Sequence, residues 1–182
     1  MEPYDPTMGI YDLTKDPTAI IIDLINFNNG TSLAPQNFSF GLPSVPVSDI
    51  HNTQIALTAL PHSGLSGSAT ILYNRIDFEQ VPEGRNTKFN IGSALRVSDL
   101  IPAINATYHI RLTPDDYVDG LLPVLDRNAI NSETPFYLVA GSNSLIYCNK
   151  VLLSIVDTGL PPNPVLLSDI IVNTVLSGLN YV

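Results

Sequence analysis

The stretch "SALRVSDLIPAINATYHIRLTPDDYVDG", residues 93–120, repeats the plan of "DPTAIIIDLINFNNGTSLAPQNFSFG", residues 16–41. Sliding one onto the other pairs Ile22 with Ile101, Ile25 with Ile104, Asn26 with Asn105, Leu33 with Leu112, Pro35 with Pro114 and Phe38 with Tyr117, every pair 79 positions apart. The match continues, one position looser, from "ILYNRID" at 71–77 to "VLLSIVD" at 151–157. Offsets that agree to within one position through segments of different periodicity point to an internal repeat.

Each copy opens with a helical pattern. Asp16-Pro17 and Ser98-Asp99 each place a capping oxygen before an apolar run. Ile21, Leu24 and Ile25 fall on one helical face, as do Leu100, Ile101 and Ile104, with Ala103 small enough for close approach. "NNG" at 28–30 tolerates positive φ and ends the first helix, whereas "TYH" at 107–109 is a weaker stop. "LAPQNF" and "LTPDDY" then read as proline-opened turns, the second with Thr113, Asp115 and Asp116 starting a helical turn whose N-terminus the acids favour.

A hairpin follows in each copy. "NTQIALTAL" alternates Ile55, Leu57 and Ala59 on one face and turns through "PHSGLSGS" into "ATILYNRIDF". "PFYLVAG" turns through "GSNS" into "LIYCNKVLLSIVD", read as one long strand. A unit of about eighty residues buries only a modest core, so two copies are expected to pair. The fold expectation is α+β and β-rich: two helix–turn–hairpin repeats, residues 17–92 and 93–160, form one sandwich-like domain over 17–160. "TKFNIG" at 87–92 and "GLLPVLD" at 120–126 complete the sheet or link the copies. Arms flank the domain at 1–16 and 161–182.

The 45% hydrophobic content suffices for a core in 182 residues. With a net charge of -9 and only 8 Lys and Arg, a phosphate-binding face would work against the protein's own field, which argues against a direct nucleic-acid partner. No apolar run is long enough for a membrane helix, and the N-terminus lacks a secretory pattern, pointing to the cytosol of the host cell. The glycosylation patterns at Asn29, Asn37 and Asn105 are then chance matches. Cys148, alone in an apolar run, reads as a buried filler.

Beyond the spacer Pro161-Pro162-Asn163-Pro164 the chain is markedly apolar, and "LLSDII" at 166–171 echoes "RVSDLI" at 96–101. The proline spacer is stiff, and an apolar tail held in water needs a surface to cover. That surface is either the tail's own domain or a neighbouring subunit. Leu166, Leu167, Ile170, Ile171, Leu176, Leu179 and Tyr181 are the candidate interface residues.

Chemical motifs are missing. His51, His62 and His109 fall in no metal-ligand spacing. "HSGLSGS" at 62–68 misses the G-x-S-x-G nucleophile spacing and suits a hairpin tip. Asp115, Asp116 and Asp119 lack the remaining ligands of a calcium loop. No phosphate-cradling or dinucleotide-binding run occurs, so no catalytic residue, cofactor or metal is assigned.

"LINFNNGTSL", "LYNRID", "AINATYHIRLTPDDYVD" and "SDIIVNTVLSGLNY" together resemble small structural proteins of tailed-bacteriophage virions, including repeated domains of large-genome phages. The resemblance implies a particle component, in head decoration, neck, tail or baseplate, present in many copies and assembled in the bacterial cytoplasm. It brings no catalytic residues. The expected function is therefore subunit adhesion, with other virion proteins or further copies of the chain as partners. The alternative is a receptor- or carbohydrate-binding module displayed on a particle, using loop tyrosines such as Tyr73 or Tyr117. A hydrolase ranks last, since it would need an unheralded Ser, His and Asp constellation.

Overall fold

The computed structural model of the chain describes residues 12–47, 50–82, 84–125 and 133–158. The candidate interface residues Leu166, Leu167, Ile170, Ile171, Leu176, Leu179 and Tyr181 lie outside them, as do most of the residues assigned to the two arms. The described residues form a mixed α+β fold, rich in β-structure, with two α-helices and three small sheets.

Helix α1 (Pro17–Asn29) begins as its sequence dictates. The Asp16 carboxylate accepts from Thr18 N–H at 3.0 Å and from the Thr18 hydroxyl at 2.7 Å, and Pro17 supplies a preset φ at the first position. Gly30 ends the helix in the left-handed region at φ 62°. The run Ile20–Ile22 has modest helix propensity, but all three side chains are buried, so packing overrides the local preference.

Helix α2 (Val97–Tyr108) differs from expectation at its start. Ser98 lies inside the first turn rather than before it, and its N–H donates to Asp119 Oδ1 at 3.0 Å. Asp99 works backwards, accepting from the N–H groups of Leu95 and Arg96 at 2.9 Å each. The N-terminus is thus satisfied partly by a carboxylate 21 residues away, which no local pattern reveals. The weak stop "TYH" proves sufficient, because His109 takes the left-handed conformation at φ 55°.

Strands β1 (Phe38–Phe40), β2 (Thr53–Ala59) and β3 (Ser68–Tyr73) form an antiparallel sheet in that order. Residues 53, 55 and 57 are buried between less buried neighbours, the alternation of a strand with one face on a core. β4 (Ile76–Asp77) lies parallel to β7 (Tyr147–Cys148). In the third sheet β8 (Lys150–Val156) is central, with β5 (Lys88–Asn90) parallel on one side and β6 (Glu133–Val139) antiparallel on the other. The long strand expected from "LIYCNKVLLSIVD" is therefore broken. Asn149, at φ 62°, separates β7 from β8 and lets them join different sheets. The segment "TKFNIG" does complete a sheet, whereas among the described residues "GLLPVLD" contributes the bridge from Leu121 to Arg96.

One buried cluster draws on both helices and on β2, β3, β5, β6, β7 and β8. Phe78 stacks on Tyr147 at 4.9 Å between ring centroids, and Phe89 meets Tyr108 edge-on at 5.9 Å. Several local bonds recur 79 positions apart. Lys15 N–H donates to Asp12 O, as Ala94 N–H does to Ile91 O. Thr31 N–H donates to Asn26 O, and Ile110 N–H to Asn105 O. The Asn26 side chain accepts from Leu33 N–H at 2.7 Å, and that of Asn105 from Leu112 N–H at 3.0 Å. Phe38 pairs with Ala59 in β2, while Tyr117 bridges Ala140 just beyond β6.

Candidate docking groove

Between α1 and β3 the surface opens into a groove of 460 Å³. Ile20, Leu24 and Phe27 line it from the helix, Ile71, Leu72 and Tyr73 from the strand, and Ile146 from the second hairpin. Phe27 is 62% exposed and Leu72 41%, values that leave an apolar wall open to a ligand rather than sealed in the core. Asn28, His51 and Asn74 add polar groups to the lining. Among the described residues β3 is the outermost strand of its sheet, so the groove runs beside a sheet edge.

The groove is suited to holding apolar groups and carries little chemistry. Tyr73, one of its two titratable residues with His51, is buried and donates its hydroxyl to Leu145 O at 2.8 Å. Burial pushes its phenol up to about 12, with Arg75 acting weakly in the other direction. Tyr73 is therefore not the exposed loop tyrosine that glycan recognition would need. Tyr117, partly exposed, lies in the bridge to Ala140.

A second polar constellation sits where the proline turn of the second half meets the tip of its hairpin. The Asp116 carboxylate, 1% exposed, accepts from Thr113 N–H at 2.8 Å, from the Thr113 hydroxyl at 2.7 Å and from the Ser144 hydroxyl at 2.6 Å. Ser144 Oγ in turn accepts from Tyr147 N–H at 3.0 Å. Gly141 lets the two loops approach, since a Cβ there would lie 2.2 Å from Asp115 O. The segment expected to begin a helical turn is instead a hydrogen-bonded turn closed by Asp116. Asp116 and Ser144 resemble two members of a hydrolytic triad, yet the serine proton is committed to the carboxylate. Their geometry serves loop docking.

Arg75 links the halves of the fold, with Nε donating to Thr53 Oγ1 at 2.9 Å and a terminal nitrogen to Ser144 O at 3.1 Å. Cys148 is half-buried, and burial pushes its thiol up, away from the reactive thiolate. His62 occupies the first hairpin's tip at φ 69°, and His109 ends α2. Among the described residues no three His, Cys, Asp or Glu side chains are placed to hold a metal ion. No described helix is long and apolar enough to cross a membrane.

The sequence pattern placed Ile71 and Tyr73 on a strand and Leu24 and Ile25 on a helix, but nothing in it brought those elements together. The Asp116–Ser144 contact was likewise hidden, because the two residues are 28 positions apart. Compared with known proteins, the chain matches neither a curated protein nor a solved structure. Residues 8–182 match a family of unknown function, DUF7941, and the chain belongs to that family.

Proposed function

We propose that the chain is a non-enzymatic structural component of a tailed-phage virion, acting by adhesion between subunits in head decoration, neck, tail or baseplate. We propose further that its body consists of two copies of one helix–turn–hairpin unit in a sandwich-like arrangement. The recurring bonds of Asn26 and Asn105, the left-handed caps Gly30 and His109, and the turns at 12–15 and 91–94 support the two-copy reading.

The observation that carries the adhesion reading is a run of large apolar side chains held in water. After β1, Leu42 is 73% exposed, Val45 74%, Val47 101% and Ile50 93%; in the second half Leu121 is 77% and Val124 95%. Single exposed leucines are ordinary, but several within one short stretch mark a surface that another molecule covers. Leu42 and Val45 stand 79 positions before Leu121 and Val124, so the two patches belong to corresponding places in the two copies. The C-terminal residues Leu176, Leu179 and Tyr181 add anchors of the kind that fill a neighbour's groove.

Mass spectrometry of purified particles tests the reading. The chain should be present at a fixed copy number, in the hundreds for a shell or tail tube and about a dozen for a neck or baseplate. Deleting residues 164–182 should leave the thermal transition intact and abolish incorporation. Particles that lack the protein, or that incorporate the deletion variant at the full level, would overturn it.

A further inference from the structure

The two halves differ at one place where their correspondence leads one to expect a match. In the second half, β8 carries β5 on its outer edge, with Lys88 facing Ser154 and Phe89 facing Ile155. Phe89 is buried and meets Tyr108 of α2 edge-on, so β5 fills the wedge between helix and strand. In the first half the corresponding strand is β3, and here the strand pairing rather than the sequence offset of 80 sets the register: Ile71 faces Ile55 in β2 as Leu153, 82 positions on, faces Phe136, 81 positions on, in β6. No strand lies on its outer edge among the described residues, and the wedge between β3 and α1 is the 460 Å³ groove.

We propose that this groove is a strand-acceptor site and that its occupant is residues 9–11 of the same chain, added to β3 as a parallel strand. This inference rests on the two-copy reading. The route supports it: the turn from Asp12 to Lys15 corresponds to the turn from Ile91 to Ala94 that carries β5 into α2, so residues 9–11 stand 79 positions before 88–90. Ile10 takes the place of Phe89, an apolar side chain entering an apolar wedge. Leu13 already lines the groove, so the segment begins at its lip, and three residues at about 3.3 Å each cover the part of β3 that borders it. The family match begins at residue 8 and so includes the segment. An outer strand left bare would invite pairing with other chains, a liability that a short covering strand removes.

A disulfide scan of the full chain tests this. In a Cys148→Ser background, Gly9→Cys with Leu72→Cys should close an intrachain disulfide, because Gly9 stands 79 positions before Lys88 and the strand pairing that puts Ile71 in the place of Leu153 puts Leu72 in the place of Ser154, which faces Lys88. Lys88→Cys with Ser154→Cys is the positive control, and Gly9→Cys with Leu152→Cys the negative one. With Leu72→Cys alone, deleting residues 1–11 should raise labelling by a soluble maleimide about tenfold, and deleting residues 164–182 should leave it unchanged. The proposal is overturned if the 9–72 pair closes no better than the negative control, if it closes only between chains, or if deleting 164–182 is what exposes position 72. The last result would seat a C-terminal segment, of the same or a neighbouring copy, in the groove. None of these outcomes bears on whether particles contain the protein, so this inference and the adhesion reading fail separately.

Discussion

Helices α1 and α2 end on the same pair of hydrogen bonds, yet α2 has a strand laid beside it and α1 has a groove. Ile104 of α2 is fully buried, whereas Ile25 of α1 retains 9% exposure at the groove floor. The comparison teaches that similar local sequence fixes how a helix begins and ends, while the depth of its burial depends on what else reaches it.

The largest expected effect breaks that comparison most directly. Ile104→Ala should cost about 4 kcal/mol in urea unfolding, at the upper part of the range for a sealed core site. On the proposal that residues 9–11 fill the groove, Ile25→Ala should cost nearly as much in the full chain. After removal of residues 1–11 its cost should drop to about 2 kcal/mol, because water then reaches the site. Asp116→Ala comes next, at about 3 kcal/mol, since it leaves Ser144 and Thr113 without their acceptor in a buried place. The same urea unfolding curves will read it.

Asn26 and Asn105 sharpen the comparison at smaller scale. Asn26 bonds Leu33 through both N–H and carbonyl and also accepts from the Thr31 hydroxyl, while Asn105 accepts from Leu112 N–H. Asn26→Ala should cost about 2 kcal/mol and Asn105→Ala about 1. The caps should respond with opposite signs: Gly30→Ala destabilises by about 1 kcal/mol through a strained left-handed φ, and His109→Gly stabilises by about 0.5 kcal/mol by relieving one.

The smallest effect lies in acid. The carboxyl of Asp16 is held below its usual 3.8, chiefly by the Thr18 hydroxyl, and that of Asp99 by the N–H groups of Leu95 and Arg96. A carboxyl held low in the fold contributes stability above its unfolded value and loses it as pH falls through the folded one. Asp16→Asn and Asp99→Asn should therefore flatten the decline in melting temperature below pH 3.8 and leave its form near neutrality unchanged.

Much of the fold was legible wherever a residue acts on its immediate neighbours. Asp16-Pro17 announced α1 and Gly30 ended it; the alternation around Ile55 and Leu57 announced β2. The start of α2 was misplaced because its satisfying groups are Asp99 acting in reverse and Asp119 from beyond the helix. The break at Asn149 was missed because both flanking segments are apolar and strand-like, and they diverge only to pair with different partners. The groove had no signal of its own. Its walls are ordinary core residues on a helix and a strand, and a cavity is a property of their spacing.

By itself the sequence determined the apolar faces of both helices, the capping of α1 and the buried face of β2, because capping, proline geometry and side-chain periodicity act within a few residues. Tertiary structure alone decided that β5 and β7 run parallel to their partners, that Ser144 holds Asp116, and that β3 borders a groove. Those contacts join residues far apart in the chain, and their free energy comes from excluding water and satisfying buried polar groups, which depend on the assembled neighbours rather than on any local pattern.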